Sequence, residues 1–202
     1  EAALMIGKMY LAGQGTPKDT TQAAYWLAKT LDAREQVPDQ GWGVRSARYD
    51  PKDPNRYYKV AAEAAMLLAG MYASGDGVPL NPKLARQWLG VAEREGHVPA
   101  VKILGDMFHD GYGGDANLGK AFTYYYAAGG MRHAGAKYEE GGMHERGESV
   151  TVSLPKALQL YREAAVLGDA VAAYVLALAY DHGKGVAADP KKALGFYKDA
   201  AM

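Results

Sequence analysis

The sequence contains no cysteine, and this absence excludes several kinds of site at once. A chain without thiols has no disulfide framework, no thiolate zinc site and no cysteine nucleophile. An excess of positive charge is also missing, since 23 Lys and Arg balance 23 Asp and Glu, which argues against a nucleic-acid-binding protein. The sequence has no run of about 18 apolar residues, so we expect no membrane span within it.

Both ends of the sequence fall within helical patterns. Glu1 opens one such pattern and Met202 closes another. We therefore expect the chain to be a fragment or a processed form, from which any targeting peptide has been removed.

The glycines and alanines of the sequence recur with a fixed period. Gly75, Gly111, Gly147 and Gly183 lie 36 residues apart, and Gly13 joins them if about 26 additional residues separate the first two units. The same period relates an alanine column, Ala23, Ala85, Ala121, Ala157 and Ala193, and a column of large side chains, Trp26, Trp88, Tyr124, Leu160 and Phe196. The predicted repeats are 2–33, 64–99, 100–135, 136–171 and 172–202, with an insertion at 34–59.

Each repeat carries the signals of two helices joined by a glycine turn. One column contains only residues that cap a helix N-terminus through a side-chain oxygen: Asp19, Asn81, Asn117, Ser153 and Asp189. The glycine column ends the preceding helix, where glycine adopts left-handed backbone without a steric penalty. The predicted helices are 2–12, 20–33, 55–74, 82–95, 99–110, 118–129, 135–146, 154–167, 171–182 and 190–201. We predict an all-α fold, a right-handed superhelical solenoid of about five antiparallel helix-pair repeats in one domain, 1–202.

The last repeat shows the pattern most completely. Its characteristic residues are Ala172, Leu176, Tyr180, Gly183, Gly185, Val186, Asp189, Lys192, Ala193, Phe196, Tyr197, Ala200 and Ala201. This pattern resembles the Sel1-like repeat family, a relative of the tetratricopeptide repeats. The resemblance implies a bacterial adaptor in a signalling, secretion or envelope assembly, with a protein or peptide partner and a periplasmic or otherwise extracytoplasmic location. It also implies no shared catalytic residues and no cofactor.

The insertion is the longest departure from the repeat. Long loops in compact domains are often functional, and aromatic residues beside arginines are typical of binding hot spots. The sequence equally allows a loop that packs on its own repeats with Trp42 as an anchor. Asp53 followed by Pro54 predicts a cap that starts the second A helix near residue 55. The candidate partner-binding residues of this region are Trp42, Arg45, Arg48, Tyr49, Arg56, Tyr57 and Tyr58.

The fourth repeat breaks the pattern inside its first helix. Glu140 stands where the other repeats have Ile or Leu, and His144 stands where they have Tyr or Phe. Together with Glu148 these residues have i, i+4, i+8 spacing, which predicts one helical stripe. One interpretation is a polar or metal-binding notch, although Glu140 and His144 would supply only two ligands. The alternative, which we favour, is a Glu–His hydrogen bond or a rotated helix that exposes both residues, with no metal.

Two functions are compatible with these patterns. The first is a protein-interaction scaffold in which polar positions of the first helices bind the partner. The candidate positions are Lys8, Ser74, Asp106, Asp110, Glu140, His144, Arg146, Asp181 and His182. The second is a binding module for carbohydrate or cell-wall glycan, because tyrosines stack on sugar rings and Tyr126 lies outside the repeat columns. No spacing suggests a catalytic triad or a carboxylate pair, so we predict no enzyme and no catalytic residue.

Overall fold

The computed structural model describes residues 1–32 and 56–202, and the regular secondary structure within these ranges is entirely helical. The helices are α1 Ala2–Ala12, α2 Thr20–Asp32, α3 Arg56–Ser74, α4 Pro82–Arg94, α5 Val98–Asp110, α6 Leu118–Gly130, α7 Ala134–Arg146, α8 Leu154–Val166, α9 Ala170–His182 and α10 Pro190–Ala200. Each predicted helix has a counterpart, and the described ends agree to within one residue. Odd-numbered helices are the A helices of the repeats, and even-numbered helices are the B helices.

Side-chain caps fix where the helices begin. The Oδ1 atom of Asn81 accepts a hydrogen bond from the third residue of α4 at 3.0 Å. All five predicted caps make the equivalent bond: Asp19, Asn81, Asn117, Ser153 and Asp189. A second set of caps was not predicted. His133 and Asp169 accept the same kind of bond at the start of α7 and α9. B helices and the later A helices are therefore capped at positions that share the repeat period.

Left-handed backbone ends the A helices as predicted. Gly147 and Gly183 have φ angles of 74° and 70° at the ends of α7 and α9. The second turn glycine is also constrained by packing, since a Cβ on Gly113 would lie 2.4 Å from the Pro82 carbonyl oxygen. Ser149 replaces that glycine in the fourth repeat and keeps a positive φ of 61°. The turn conformation is therefore maintained even where its usual residue is absent.

The chain divides into two compact units, and the first comprises Glu1–Ala100 and Tyr112–Asp115. Its core contains the alanines of the predicted columns, including Ala23, Ala64 and Ala85, which are fully buried. Leu27 and Leu89 fill the space between its helices. Small side chains thus mark close helix contacts, and one leucine column supplies the volume.

The second unit comprises Val101–Gly111 and Ala116–Met202. Its B helices carry buried Tyr125 and Tyr161 in the column that holds leucine in the first unit. Glycines on the A helices make room for these rings, since a Cβ on Gly141 would lie 2.8 Å from the Tyr161 ring and one on Gly105 would lie 2.6 Å from the Tyr125 ring. Ring size and glycine placement are therefore matched in the third and fourth repeats.

The column of large side chains packs in more than one way. Leu160 is buried, whereas Tyr124 and Phe196 are only half-buried. Tyr124 stacks on Phe108 of its own repeat with ring planes 8° apart, and Phe196 stacks on Tyr180 with planes 11° apart. These rings thus join the two helices of one repeat.

Among the described residues, no helix has the length and apolar character that crossing a bilayer requires.

Candidate interaction site

Asp106 on α5 lies in a hydrogen-bonded network of the second unit. Its carboxylate accepts one bond from Lys102 Nζ at 2.8 Å and another from the Tyr125 hydroxyl at 2.9 Å. Lys102 stands one helical turn earlier on the same face, so the sequence itself brings this pair together. Burial, and then the negative charge of Asp106, raise the pKa of Tyr125 far above its ordinary value. The phenol therefore remains a hydrogen-bond donor that fixes the carboxylate.

His109 connects α5 to the turn that follows α7. Its Nδ1 atom lies 2.8 Å from Asp110 Oδ1, and its Nε2 atom lies 3.2 Å from Glu148 Oε2. Arg146 donates to both Glu148 oxygens at 2.8 Å, a bidentate arrangement with defined geometry. The hydrogen bond to Asp110, and then the one to Glu148, raise the pKa of His109 above 6.5. Three charged groups and one histidine thus link two consecutive repeats.

This contact belongs to a periodic series that we call the turn clasp. In each case the contacting turn residue lies between the two positive-φ residues of its turn. It contacts the penultimate residue of the A helix in the preceding repeat. The two residues of every pair are 39 positions apart in the sequence. The three pairs are Ala73 carbonyl with Tyr112 hydroxyl (2.6 Å), His109 with Glu148 (3.2 Å) and Glu145 with Lys184 (2.6 Å).

Tyrosines of the B helices hold carboxylates of the A helices in the later repeats as well. The Tyr161 hydroxyl donates to Glu145 at 2.7 Å, and the Tyr197 hydroxyl donates to Asp181 at 3.3 Å. The hydrogen bond from Lys184 is the largest cause that lowers the pKa of Glu145, and the bond from Tyr161 adds to it. Repeats three to five therefore share one device, a B-helix phenol bonded to an A-helix carboxylate.

Glu139 is the exception in this network. It is half-buried and makes no hydrogen bond or ion pair to any residue in the described ranges. Burial raises its pKa above 4.5, and the nearby charge of Asp106 acts in the same direction, while Lys102 and Arg146 oppose them. The charged A-helix face is the name we give to the surface formed by Asp106, Asp110, Glu139, Glu145, Arg146, Glu148 and Lys184. No group of three potential metal ligands occurs within residues 1–32 and 56–202.

Glu140 lies on another side of α7, next to α6. Its side chain is 3% exposed, and its Oε2 atom has no hydrogen-bond partner among the described residues. Lys137 Nζ is 4.0 Å from that oxygen but only 2.9 Å from Glu163 on α8. Burial raises the pKa of Glu140, while Lys137 opposes the shift.

The arrangement around His144 corrects three predictions. Its buried Nδ1 atom has no described partner, and its ring meets Phe122 edge-on at 5.8 Å, so the predicted Glu–His hydrogen bond is wrong. A rotated, exposed helix is also wrong, because Glu140 is buried. The predicted stripe does not include Glu148, since α7 ends at Arg146 and Glu148 turns back toward it.

The other predicted site residues are distributed over the chain. Lys8 forms an ion pair with Glu63 in the first unit, and His182 is exposed with its Nδ1 atom 3.8 Å from Asp181. Trp42, Arg45, Arg48 and Tyr49 lie outside the described residues, as do the side chains of Arg56, Tyr57 and Tyr58, whose backbone begins α3. The structure therefore joins three predicted residues on one surface: Asp106, Asp110 and Arg146.

Sequence reasoning missed four members of this network, namely Lys102, Glu139, Glu145 and Lys184. A signal for two of them was present, since Glu145 and Lys184 occupy the two columns of the turn clasp. These columns vary in charge from repeat to repeat, and a search for identical residues passes over them. Position in the repeat, rather than residue type, was the informative property.

The fold defines a helical-repeat protein, in which helix pairs of one period stack on their neighbours. The chain belongs to the Sel1 repeat family, whose model matches residues 1–33, 62–97, 100–131, 136–169 and 170–202. The predicted resemblance and the predicted class, an all-α solenoid of helix-pair repeats, are thereby confirmed. Sel1 repeats generally mediate protein–protein interactions and are generally non-catalytic scaffolds.

Solved structures of bacterial proteins share this fold. A Sel1 repeat protein from Oxalobacter formigenes is 25% identical with a TM-score of 0.79, over 99% of this chain and 72% of that protein. A protective antigen of uropathogenic Escherichia coli is 26% identical with a TM-score of 0.63, over 99% of this chain and 45% of the antigen. Cysteine rich protein B of Helicobacter pylori is 23% identical with a TM-score of 0.50, over 62% of this chain and 93% of that one. No curated protein sequence matches the chain.

Proposed function

We propose that this chain is a non-enzymatic scaffold that binds a protein or peptide partner through the charged A-helix face. One observation carries the proposal. Tyrosine hydroxyls hold Asp106 on α5 and Glu145 on α7, and the turn-clasp partner Lys184 also holds Glu145, before any partner arrives. Side chains that are already ordered lose less conformational freedom on binding, which favours affinity.

The same face also offers accessible charge. The side chains of Asp110, Arg146 and Lys184 are 69%, 48% and 64% exposed. Arginine is enriched among binding hot spots, and a bidentate bond to Glu148 gives the Arg146 guanidinium a fixed orientation. These groups support recognition of a polar protein surface better than burial of an apolar one.

The relatives support a bacterial setting for this activity. Two solved relatives of at least 25% identity come from Oxalobacter formigenes and uropathogenic Escherichia coli. We accordingly propose an adaptor within an envelope, secretion or signalling assembly. The insertion residues Trp42, Arg45, Arg48 and Tyr49 remain predicted contributors to the same interaction.

Site-specific photo-crosslinking tests the proposal. A photoreactive amino acid replaces Asp110 or Lys184 on the charged A-helix face, and Gln159, an exposed residue of α8, in the control. We expect irradiated cells to give a discrete adduct at the first two positions and none at Gln159, with the captured protein identified by mass spectrometry. Equal adducts at all three positions, or none at positions 110 and 184, would contradict the proposal.

A glycan-binding function is a second candidate, and Tyr126 is the observation that favours it. The ring is 64% exposed and lies beside Phe122 with ring centroids 6.3 Å apart, which leaves an aromatic surface open to a sugar ring. Binding to a peptidoglycan preparation is expected to fall with Tyr126→Ala and to persist with Tyr174→Ala, which removes another exposed tyrosine. If both variants bind peptidoglycan equally well, the glycan-binding candidate is contradicted.

A further inference from the structure

Three neighbouring repeat columns change from apolar to polar at one place on α7. Lys137 replaces Ala or Val, Glu140 replaces Ile or Leu, and His144 replaces Tyr or Phe. Their spacing of i, i+3 and i+7 places them on one side of the helix, next to α6. The apolar residues of the first two columns are buried in the neighbouring repeats: Ala65, Leu68, Val101, Leu104, Ala173 and Leu176. We call Lys137, Glu140 and His144 the polar stripe.

The polar stripe contains a buried carboxylate whose one ion pair, with Lys137, is long and shares the ammonium with Glu163. Glu140 is only 3% exposed, and its Oε2 atom accepts no hydrogen bond from the described residues. Lys137 would be the natural partner, but its ammonium lies closer to Glu163, at 2.9 Å, than to Glu140, at 4.0 Å. A buried charge of this kind is stable only with a partner, so the carboxylate is suited to receive a cation.

On α6, next to the polar stripe, two aromatic residues are followed by two glycines. Phe122 lies against His144, and Tyr126 beside it is 64% exposed. Gly129 has no side chain, and the nearest atoms to its missing Cβ are Glu140 Oε2 and the Lys137 stem, each at 3.3 Å. A Cβ on Gly130 would meet nothing within 4 Å. The flexible Lys137 stem therefore covers the carboxylate beside this bare end of α6.

We propose that the polar stripe binds an alkylammonium or guanidinium cation of the kind that lysine and arginine side chains of a protein partner carry. The cation pairs with Glu140 and lies against the ring faces of Phe122 and Tyr126, which attract positive charge. The unpartnered His144 Nδ1 accepts a further N–H bond. Lys137 remains with Glu163 when its stem moves aside. This site lies apart from the charged A-helix face, and its occupation is independent of the function proposed there.

Titration with methylguanidinium chloride tests the site directly. The backbone amide signals of Gly129 and Gly130 are followed by ¹H–¹⁵N NMR on the full chain at constant ionic strength. We expect saturable shifts with methylguanidinium and none with methylurea, which has a similar shape but no charge. Equal shifts with methylurea or with a neutral methyl glucoside, or no saturable shift at all, would overturn the proposal.

Two substitutions at Glu140 separate binding from folding. Glu140→Gln is expected to weaken methylguanidinium binding by at least about tenfold, because hydrogen bonds to charged groups are the stronger ones. Glu140→Leu restores the residue of the other repeats, preserves the fold and is expected to abolish the shifts. Asp199→Asn removes an exposed carboxylate from α10 and is expected to leave binding unchanged. Undiminished binding by Glu140→Leu would show that the cation sits elsewhere and would sink the proposal.

Discussion

Single buried polar residues have a large effect on the stability of this protein. Glu140 occupies a column in which the other A helices place an aliphatic side chain, and it retains its charged group inside the second unit. The substitution itself was evident from the sequence, because the repeat supplied four examples of what the position requires. The direction of the side chain and the lack of a bond to His144 were not, since both depend on how Phe122 and Gly129 of α6 pack against α7.

Replacement of Glu140 by Leu is expected to stabilise the fold by about 1 to 3 kcal/mol at pH 7, because it removes a buried charge without a bonded partner. Burial raises the pKa of Glu140 in the folded state, so the folded protein binds this proton more tightly than the unfolded chain does. The stability of the native protein therefore falls as pH rises from about 4.5 through the raised pKa. Urea unfolding should show a smaller advantage for leucine at pH 4 than at pH 7; an equal advantage at both would contradict this account.

Tyrosine hydroxyls offer a second test at single positions. Tyr161→Phe removes a buried donor bonded to Glu145 at 2.7 Å and is expected to cost about 1 to 2 kcal/mol. Tyr126→Phe removes a hydroxyl that has no described hydrogen bond and is expected to change stability by less than about 0.5 kcal/mol. Urea denaturation of both variants provides the comparison. Similar losses in the two would indicate that the Tyr161–Glu145 bond contributes little.

Helix positions were predicted almost completely, because local signals determine them. Caps such as Asn81 and turn glycines such as Gly147 act within a few residues of their own position. The turn clasp was not predicted, because it joins residues 39 positions apart across two repeats. Only the stacking of one repeat on the next brings a turn against the preceding A helix. The candidate site was accordingly recovered in part, at Asp106, Asp110 and Arg146.

Two helical glycines should respond oppositely to alanine. A Cβ on Gly141 would lie 2.8 Å from the Tyr161 ring and 3.3 Å from the Ala157 carbonyl, so Gly141→Ala is expected to destabilise the protein by about 1 to 3 kcal/mol. A Cβ on Gly130 would meet nothing within 4 Å, and Gly130→Ala is expected to stabilise by up to about 1 kcal/mol. Thermal and urea unfolding measure both changes. Destabilisation by Gly130→Ala would contradict the packing described for α6.

The His109 clasp should be visible in a pH titration. Bonds to Asp110 and Glu148 raise the pKa of His109 above 6.5, so their stabilising contribution is complete below about 6.5 and disappears as pH rises through the raised pKa. Asp110→Asn is expected to lower the pKa more than Glu148→Gln, because the bond to Asp110 is the larger cause. NMR of the His109 ring protons gives each value. A native pKa at or below 6.5 would contradict the clasp.

At the scale of the whole chain, the repeat period specifies packing and leaves recognition open. Columns such as Ala157 and Tyr161 are constrained by the helices they join, and these columns predicted the fold class. The charged A-helix face varies between repeats, and nothing in the period constrains its partner. Function was therefore predictable only as far as the class of scaffold, through resemblance to other Sel1 repeats.

In repeat proteins each repeat contacts only its neighbours, so a destabilising substitution mainly affects the adjacent repeats. Gly141→Ala is therefore expected to increase amide hydrogen exchange in peptides from 116–202 before it does so in peptides from 1–32. Mass spectrometry of exchange under native conditions resolves the two regions. A uniform increase along the whole chain would instead indicate a single all-or-none unfolding unit.

The turn clasp also constrains which copies of a repeat can follow one another in a chain. An in-frame duplication of 136–171 would set a second Glu148 turn against Glu145, where two carboxylates repel. A duplication of 167–202, which is one full period, would set a second Lys184 against Asp181 and create an attractive pair. Duplication of the fourth repeat is therefore less favourable than duplication of the fifth, whether it arises in a gene or by design. The charge of one turn residue decides which repeat can follow which.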